Sequence, residues 1–152
     1  SNKPLQAALD ALEGGEMVAM MPEGTIPRGP AFFTTQLSGR WGAAQLAQIS
    51  EATVIPIGLW GTENVWPRSS RGPKVLNLTD PPTVRISVGA SVELKGRSVD
   101  ADTKRIMKAI MAELPDAARV KRTPTAAELS LTYPPVWMGD QANNGDHSHG
   151  DD

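Results

Sequence analysis

Apolar residues recur at helical spacing in three stretches of the chain. Leu5, Ala8, Leu9 and Leu12 form one stripe, with Asn2 as a cap, Pro4 in the first turn and Gly14-Gly15 as the stop. Residues 40–50 repeat the pattern through Trp41, Ala44 and Ala47, with Leu46 and Ile49 beside them, and Trp41 is expected in the core. Ile106, Met107, Ile110, Met111 and Leu114 line a third helix, begun by Asp100 and Asp102 and ended by Pro115. That face is expected to be buried rather than to hold a cofactor. Between these helices, short apolar runs predict strands at residues 17–21, 53–59, 75–78 and 84–88. Pro22 ends the first, Pro56 interrupts the second, and residues 79–82 connect the last two. Residues 23–39 and 60–73 are long polar loops. The order is helix, strand, helix, three strands, helix. Such alternation predicts an α/β fold, with a mixed, partly parallel sheet flanked by helices. Beyond Pro115 the periodicity is lost. Residues 123–135 are expected as an extended arm, and 139–152 as a disordered polar tail.

Composition narrows the classes. The 152 residues suffice for one domain with a core, and 39% hydrophobic content excludes a wholly disordered chain. The net charge of -2 argues against binding nucleic acid by bulk charge. Asp140, Asp146, Asp151 and Asp152 place the acidity in the tail, and the body is mildly basic. There is no Cys, which removes thiolate chemistry and cysteine zinc sites. No apolar run approaches the roughly 18 to 20 residues that span a bilayer. The two His, His147 and His149, sit among the tail's acids without an apolar anchor, so neither a metal site nor a base is expected there.

The informative stretch is Met20-Met21-Pro22-Glu23-Gly24-Thr25-Ile26-Pro27-Arg28. Pro22 ends a strand, Gly24 permits a tight turn, Thr25 offers a hydroxyl, and Arg28 offers a planar cation. Glu23 is expected to brace the turn by accepting from neighbouring donors. The ordinary alternative is a strand–loop junction with a surface Arg. This stretch resembles the signature of the glycerolipid acyltransferases, the 1-acylglycerol-3-phosphate acyltransferase family, in which an apolar strand runs into Phe-Pro-Glu-Gly-Thr-Arg-Ser. Pro22, Glu23, Gly24 and Thr25 match; Met21 replaces Phe and Ile26 replaces the first Arg. Arg40-Trp41-Gly42-Ala43-Ala44 and Val54-Ile55-Pro56-Ile57 resemble the next two features of the family, and the helix ending at Leu114-Pro115 resembles its last.

The resemblance implies an acyltransferase. It would move a fatty acyl group from acyl-CoA or acyl carrier protein, as co-substrate, to a lysophospholipid such as 1-acylglycerol-3-phosphate, without a metal or other cofactor. Glu23, Gly24, Thr25 and Arg28 would shape the acceptor phosphate site, with Arg40 as a second cation. The family's catalytic motif is His, four residues, then Asp, upstream of Glu-Gly. No His precedes His147, so this chain alone is expected to be inactive. The first Met is Met17, and residues 1–115 are expected to be the C-terminal half of the domain, with the front half missing, followed by the arm (116–138) and the tail. The missing N-terminal half is an expected partner, and a cytoplasmic location at the membrane periphery follows from the resemblance.

A reading from another class remains: a non-catalytic module that binds anionic lipid or another protein. Between Gly24 and Thr79 five basic residues (Arg28, Arg40, Arg68, Arg71, Lys74) face two acids (Glu51, Glu63), which suits a phosphate or an anionic surface, or else a solvated loop. Phe32, Phe33, Trp60 and Trp66 sit in or beside the loops, either for lipid contact or for local packing.

Overall fold

The structure, a computed structural model, describes residues 3–73 and 79–134. The strand expected at 75–78, Lys74, and the tail with both His lie outside the described residues.

Helix α1 spans Lys3–Glu13. Its stripe of Leu5, Ala8, Leu9 and Leu12 is half-buried against helix α2, Gly42–Ser50. Gly15 takes the left-handed conformation (φ 79°) that ends α1, and the Glu16 amide donates back to the Ala11 carbonyl at 2.9 Å. From α2, Ala44, Leu46 and Ala47 enter the core. Trp41 does not join them. It sits just before the helix and is 63% exposed, because the apolar stripe begins one turn later at Ala44.

Two strands, β1 (Ile57–Trp60) and β2 (Arg85–Val88), pair antiparallel with Ile57 opposite Val88 and Trp60 opposite Arg85. The Gly89 amide donates to the Pro56 carbonyl and the Val92 amide to that of Val54. The second bond is offset by one residue from the strand register, so the ribbon carries a bulge near Gly89. The expected parallel component is therefore corrected: the sheet of the described residues is a two-stranded antiparallel ribbon. The run 17–21 is not a buried strand. A strand needs a partner edge, and these residues make no ladder bond among the described residues; Met17 is 97% exposed and Met21 76%. What holds is an α/β protein in the general sense.

Between the strands lies the short helix α3, Thr62–Val65. Helix α4, Val99–Glu113, crosses α2 and lies against β1. Its cap is Ser98, whose hydroxyl accepts from the Ala101 amide at 3.3 Å, rather than either Asp. Ile106 and Met107 bury themselves against α2's apolar residues. At the other end, Arg119 Nη2 donates to the carbonyls of Ala112 (3.0 Å) and Leu114 (2.9 Å), a cation where the helix dipole is negative.

Alternation along the ribbon gives it two unlike faces. Gly58 lies so close to α4 that a Cβ there would sit 2.8 Å from the Glu113 carbonyl oxygen, and Ser87 Oγ donates to Glu113 Oε2 at 2.6 Å. The opposite face carries Ile57, Leu59, Ile86 and Val88, all exposed. The segment expected as an extended arm is shorter in extended form than predicted. Helix α5, Ala126–Leu131, is nucleated by a capping box in which Thr125 and Glu128 satisfy each other's backbone amides.

Asp102 links these parts. Its side chain is fully buried and accepts from the Lys95 amide (3.0 Å), the Gly96 amide (2.8 Å), Gln48 Nε2 of α2 (2.9 Å) and Arg105 Nη1 (2.8 Å). The Lys95 amide and the Gln48 amide hold the carboxyl down to about 2 from 3.8, against the opposing effect of burial, and Gly96 and Arg105 add to the lowering. A carboxyl depressed by folding stabilises the fold above its unfolded value, and that stability is lost as the pH falls through the folded one. Acid unfolding should therefore steepen between about pH 4 and pH 2. Asp102→Asn should lower the Tm at pH 7 by several degrees and flatten the profile in that window, measured by circular dichroism.

Candidate phosphate-binding turn

Met21, Pro22, Glu23 and Gly24 form a turn closed by the Gly24 amide on the Met21 carbonyl at 3.1 Å. Pro22 presets the second position, and Gly24 closes the turn at φ 69°, where a side chain is strained. The loop returns eighteen positions after Pro22: the Arg40 amide donates to the Pro22 carbonyl at 2.7 Å. Arg40's side chain then lies over Gly24. A Cβ at position 24 would be 2.6 Å from Arg40 Cδ and 2.8 Å from Nε, so a side chain there would push Arg40 aside, while the φ is what favours Gly.

Arg40 is delivered from the other side by α4. Gly39 packs on Met107, whose Sδ would be 2.6 Å from a Cβ at 39. The loop's middle is held by the C-terminal segment: the Gly29 amide donates to Thr132 Oγ1 at 2.8 Å, and Tyr133 Oη crowds Gly29. A 3-10 turn, Gly29–Phe33, follows, with Arg28 in extended conformation as its cap.

The structure thus brings Gly24 and Arg40 into contact and puts Thr25 and Arg28 on the same exposed loop. Neither guanidinium makes an ion pair or a side-chain hydrogen bond among the described residues. The Thr25 amide and hydroxyl are also without a partner among the described residues. Arg40 on the glycine turn, with a free amide and a free hydroxyl at the next residue, Thr25, offers donors of the kind an oxyanion accepts, and Arg28 lies further along the loop. Glu23 departs from expectation. It is half-buried, no hydrogen bond among the described residues reaches its carboxylate, and burial pushes its pKa up. The turn is braced by the backbone and by Arg40 instead.

The loop aromatics divide. Phe33 packs edge-on to Phe32 at 5.2 Å, and the Arg122 guanidinium sits 4.9 Å over its ring. Trp66 Nε1 donates to the Ser70 carbonyl at 3.2 Å. The Phe32–Phe33 and Trp66–Ser70 contacts are local packing, Arg122 reaches Phe33 from a distant stretch, and parts of Phe32, Trp60 and Trp66 stay exposed. A cleft of about 330 Å3 between α1 and α2, lined by Leu9, Leu12, Glu13, Ile49, Ser50 and Ala52, holds no cation and none of the expected site residues. Sequence reasoning missed Asp102, taken only as a helix starter, and the tie from Arg68 Nη1 to the Ile26 carbonyl at 2.8 Å. The second spans 42 positions and leaves no local signal.

Among the described residues no group of three or more His, Cys, Asp or Glu could hold a metal ion, and no helix is long and apolar enough to cross a membrane. Comparison with protein-family models, with curated proteins and with solved structures finds no match.

Two substitutions test the turn. For Glu23 the linkage runs opposite to that of Asp102. A carboxyl raised by folding stabilises the fold below its unfolded value, and that stability is lost as the pH rises. Glu23→Gln should therefore raise the Tm at pH 7 and leave it unchanged below pH 4. Gly24→Ala should cost about 1–2 kcal/mol in urea unfolding, the strain of a left-handed alanine. It should also displace Arg40, seen as a shift of its Nε–H resonance.

Proposed function

We propose that this chain supplies the acceptor-binding part of a glycerolipid acyltransferase, which transfers a fatty acyl group from acyl-CoA or acyl carrier protein to a lysophospholipid such as 1-acylglycerol-3-phosphate. One observation carries the reading: the Arg40 side chain lies on Gly24 of the Pro22-Glu23-Gly24-Thr25 turn with its charge unpaired among the described residues. With Ile26 in the place of the family's Arg, Arg40 is the cation against the turn, and Arg28 is the second, on the loop's far limb. A guanidinium offers the paired N–H groups that match phosphate oxygens. Glu23 would act through its burial rather than as a ligand.

The chemical step needs more than the turn. The acceptor hydroxyl attacks the thioester carbonyl, the carbon–sulfur bond breaks, and the hydroxyl proton must go to a base. His147 and His149 are the only His; four residues separate His147 from Asp152, which is the motif's spacing, but the pair lies downstream of Glu23-Gly24, where the family motif lies upstream, and outside the described residues. On this reading the base is supplied by a part of the enzyme other than the turn. The open apolar face of the ribbon, Ile57, Leu59, Ile86 and Val88, is where further layers of such a domain would pack. The same unpaired cations also suit the second reading, an anionic-lipid-binding module located at a membrane surface.

Sedimentation with vesicles tests what both readings share. The chain should bind phosphatidylcholine vesicles containing phosphatidate and not pure phosphatidylcholine. Arg40→Ala should weaken that binding about tenfold, the worth of a charge-assisted contact. Equal binding by Arg40→Ala would refute the assignment. With a palmitoyl thioester and lysophosphatidate, the chain alone should show no turnover; turnover abolished by a substitution within it would overturn the missing-base account.

A further inference from the structure

Between the turn at Gly24 and the 3-10 turn that starts at Gly29, the loop has little to hold it. Thr25, Ile26 and Pro27 make one hydrogen bond among the described residues: the Ile26 carbonyl accepts from Arg68 Nη1 at 2.8 Å. Ile26 is itself exposed, so apolar burial does not fix the segment either.

Arg68 is well placed to be a fixed post. The Ser70 amide donates to the Pro67 carbonyl at 2.8 Å, so Arg68 lies inside a closed turn. That turn is braced again by Trp66 Nε1 on the Ser70 carbonyl and by Ser70 Oγ on the Gly72 carbonyl at 2.8 Å. A braced donor reaching a loosely held acceptor loses little further freedom on bonding.

We propose that Arg68 is a positioning residue for the phosphate-binding turn. By holding the Ile26 carbonyl it keeps residues 25–28 in the conformation that presents Thr25 and Arg28 to the ligand that Arg40 also binds. This rests on the phosphate reading of that turn, and it adds a residue from the second loop, to which neither the motif nor its spacing points. The Arg68 guanidinium has no acidic partner among the described residues, so its charge also raises the local positive potential. Its specific task, however, is one N–H to one carbonyl. A lysine can make such a bond, although it would serve poorly as a bidentate phosphate ligand.

The test uses the whole chain and glycerol 3-phosphate as the probe, with affinity read by calorimetry and loop order by the 1H–15N heteronuclear NOE. Arg68→Ala should weaken binding about tenfold and lower the NOE at Thr25 and Ile26, with the Tm unchanged. Arg68→Lys should restore most of both. If Arg68→Ala binds like the wild type while Arg28→Ala and Arg40→Ala bind more weakly, the inference fails and the phosphate reading stands. If Arg68→Lys is as weak as Arg68→Ala and the NOE is unchanged in both, Arg68 is a direct ligand and the positioning role is overturned. If the wild type binds no glycerol 3-phosphate, the phosphate reading and this inference fall together.

Discussion

The buried carboxylate of Asp102 is the constraint on which the rest of the structure depends. It gathers donors from its own helix, from the 95–96 loop just before it and from Gln48 of α2, 54 positions away, so a distant helix is tied to α4 and its leading loop at one anchor. A buried charge is tolerable only when it is so fully bonded, and losing any donor leaves the remaining desolvation uncompensated. Its satisfaction sets how α4 crosses α2, and the small core of Ala44, Leu46, Ala47, Ile106 and Met107 closes around that crossing. The same crossing reaches the candidate site. Met107 of α4 supports Gly39, the next residue is Arg40, and Arg40 lies on Gly24. An electrostatic anchor in the core is thereby joined, through packing, to the placement of a surface cation.

The turn itself is built from conformational rules more than from side-chain bonds. Pro22 and Gly24 fix its shape, and the Arg40 amide ties the far end of the loop to its start. The C-terminal segment then adds Thr132 and Tyr133 at Gly29, with Arg122 over Phe33. The loop is therefore anchored at its start by Arg40 and beyond Arg28 by the C-terminal segment, with unpaired cations left on it. Charges left unpaired on a loop anchored at both ends suit a ligand better than they suit stability, because the anchoring lowers the entropy lost on binding.

Much of the local structure was legible in the sequence. The stripes Leu5–Leu12 and Ile106–Met111 are period-3.6 patterns long enough to name helices, and the tight turn at Pro22-Glu23-Gly24 follows from its Pro and Gly. What was not legible is what depends on partners. The apolar run 17–21 is strand-like by composition, but only a neighbouring edge would make it a strand. The antiparallel direction of β1 and β2 is set by long-range pairing, which no local pattern encodes. Asp102 and Asp100 look alike as acids in a first turn, and only the fold buries one of them. The Thr125–Glu128 box is different: its spacing was readable, and the loss of longer periodicity after Pro115 obscured it.

The account stands on whether an anion binds at the junction of Gly24 and Arg40. The most direct measurement is a titration of the isotopically labelled chain with inorganic phosphate, followed by the backbone amides and the arginine Nε–H signals in 1H–15N spectra. The account predicts shifts concentrated at Gly24, Thr25 and the Arg40 Nε–H, saturating together with one affinity. Shifts confined to other surfaces, or an Arg40 signal unmoved while phosphate binds elsewhere, would contradict it.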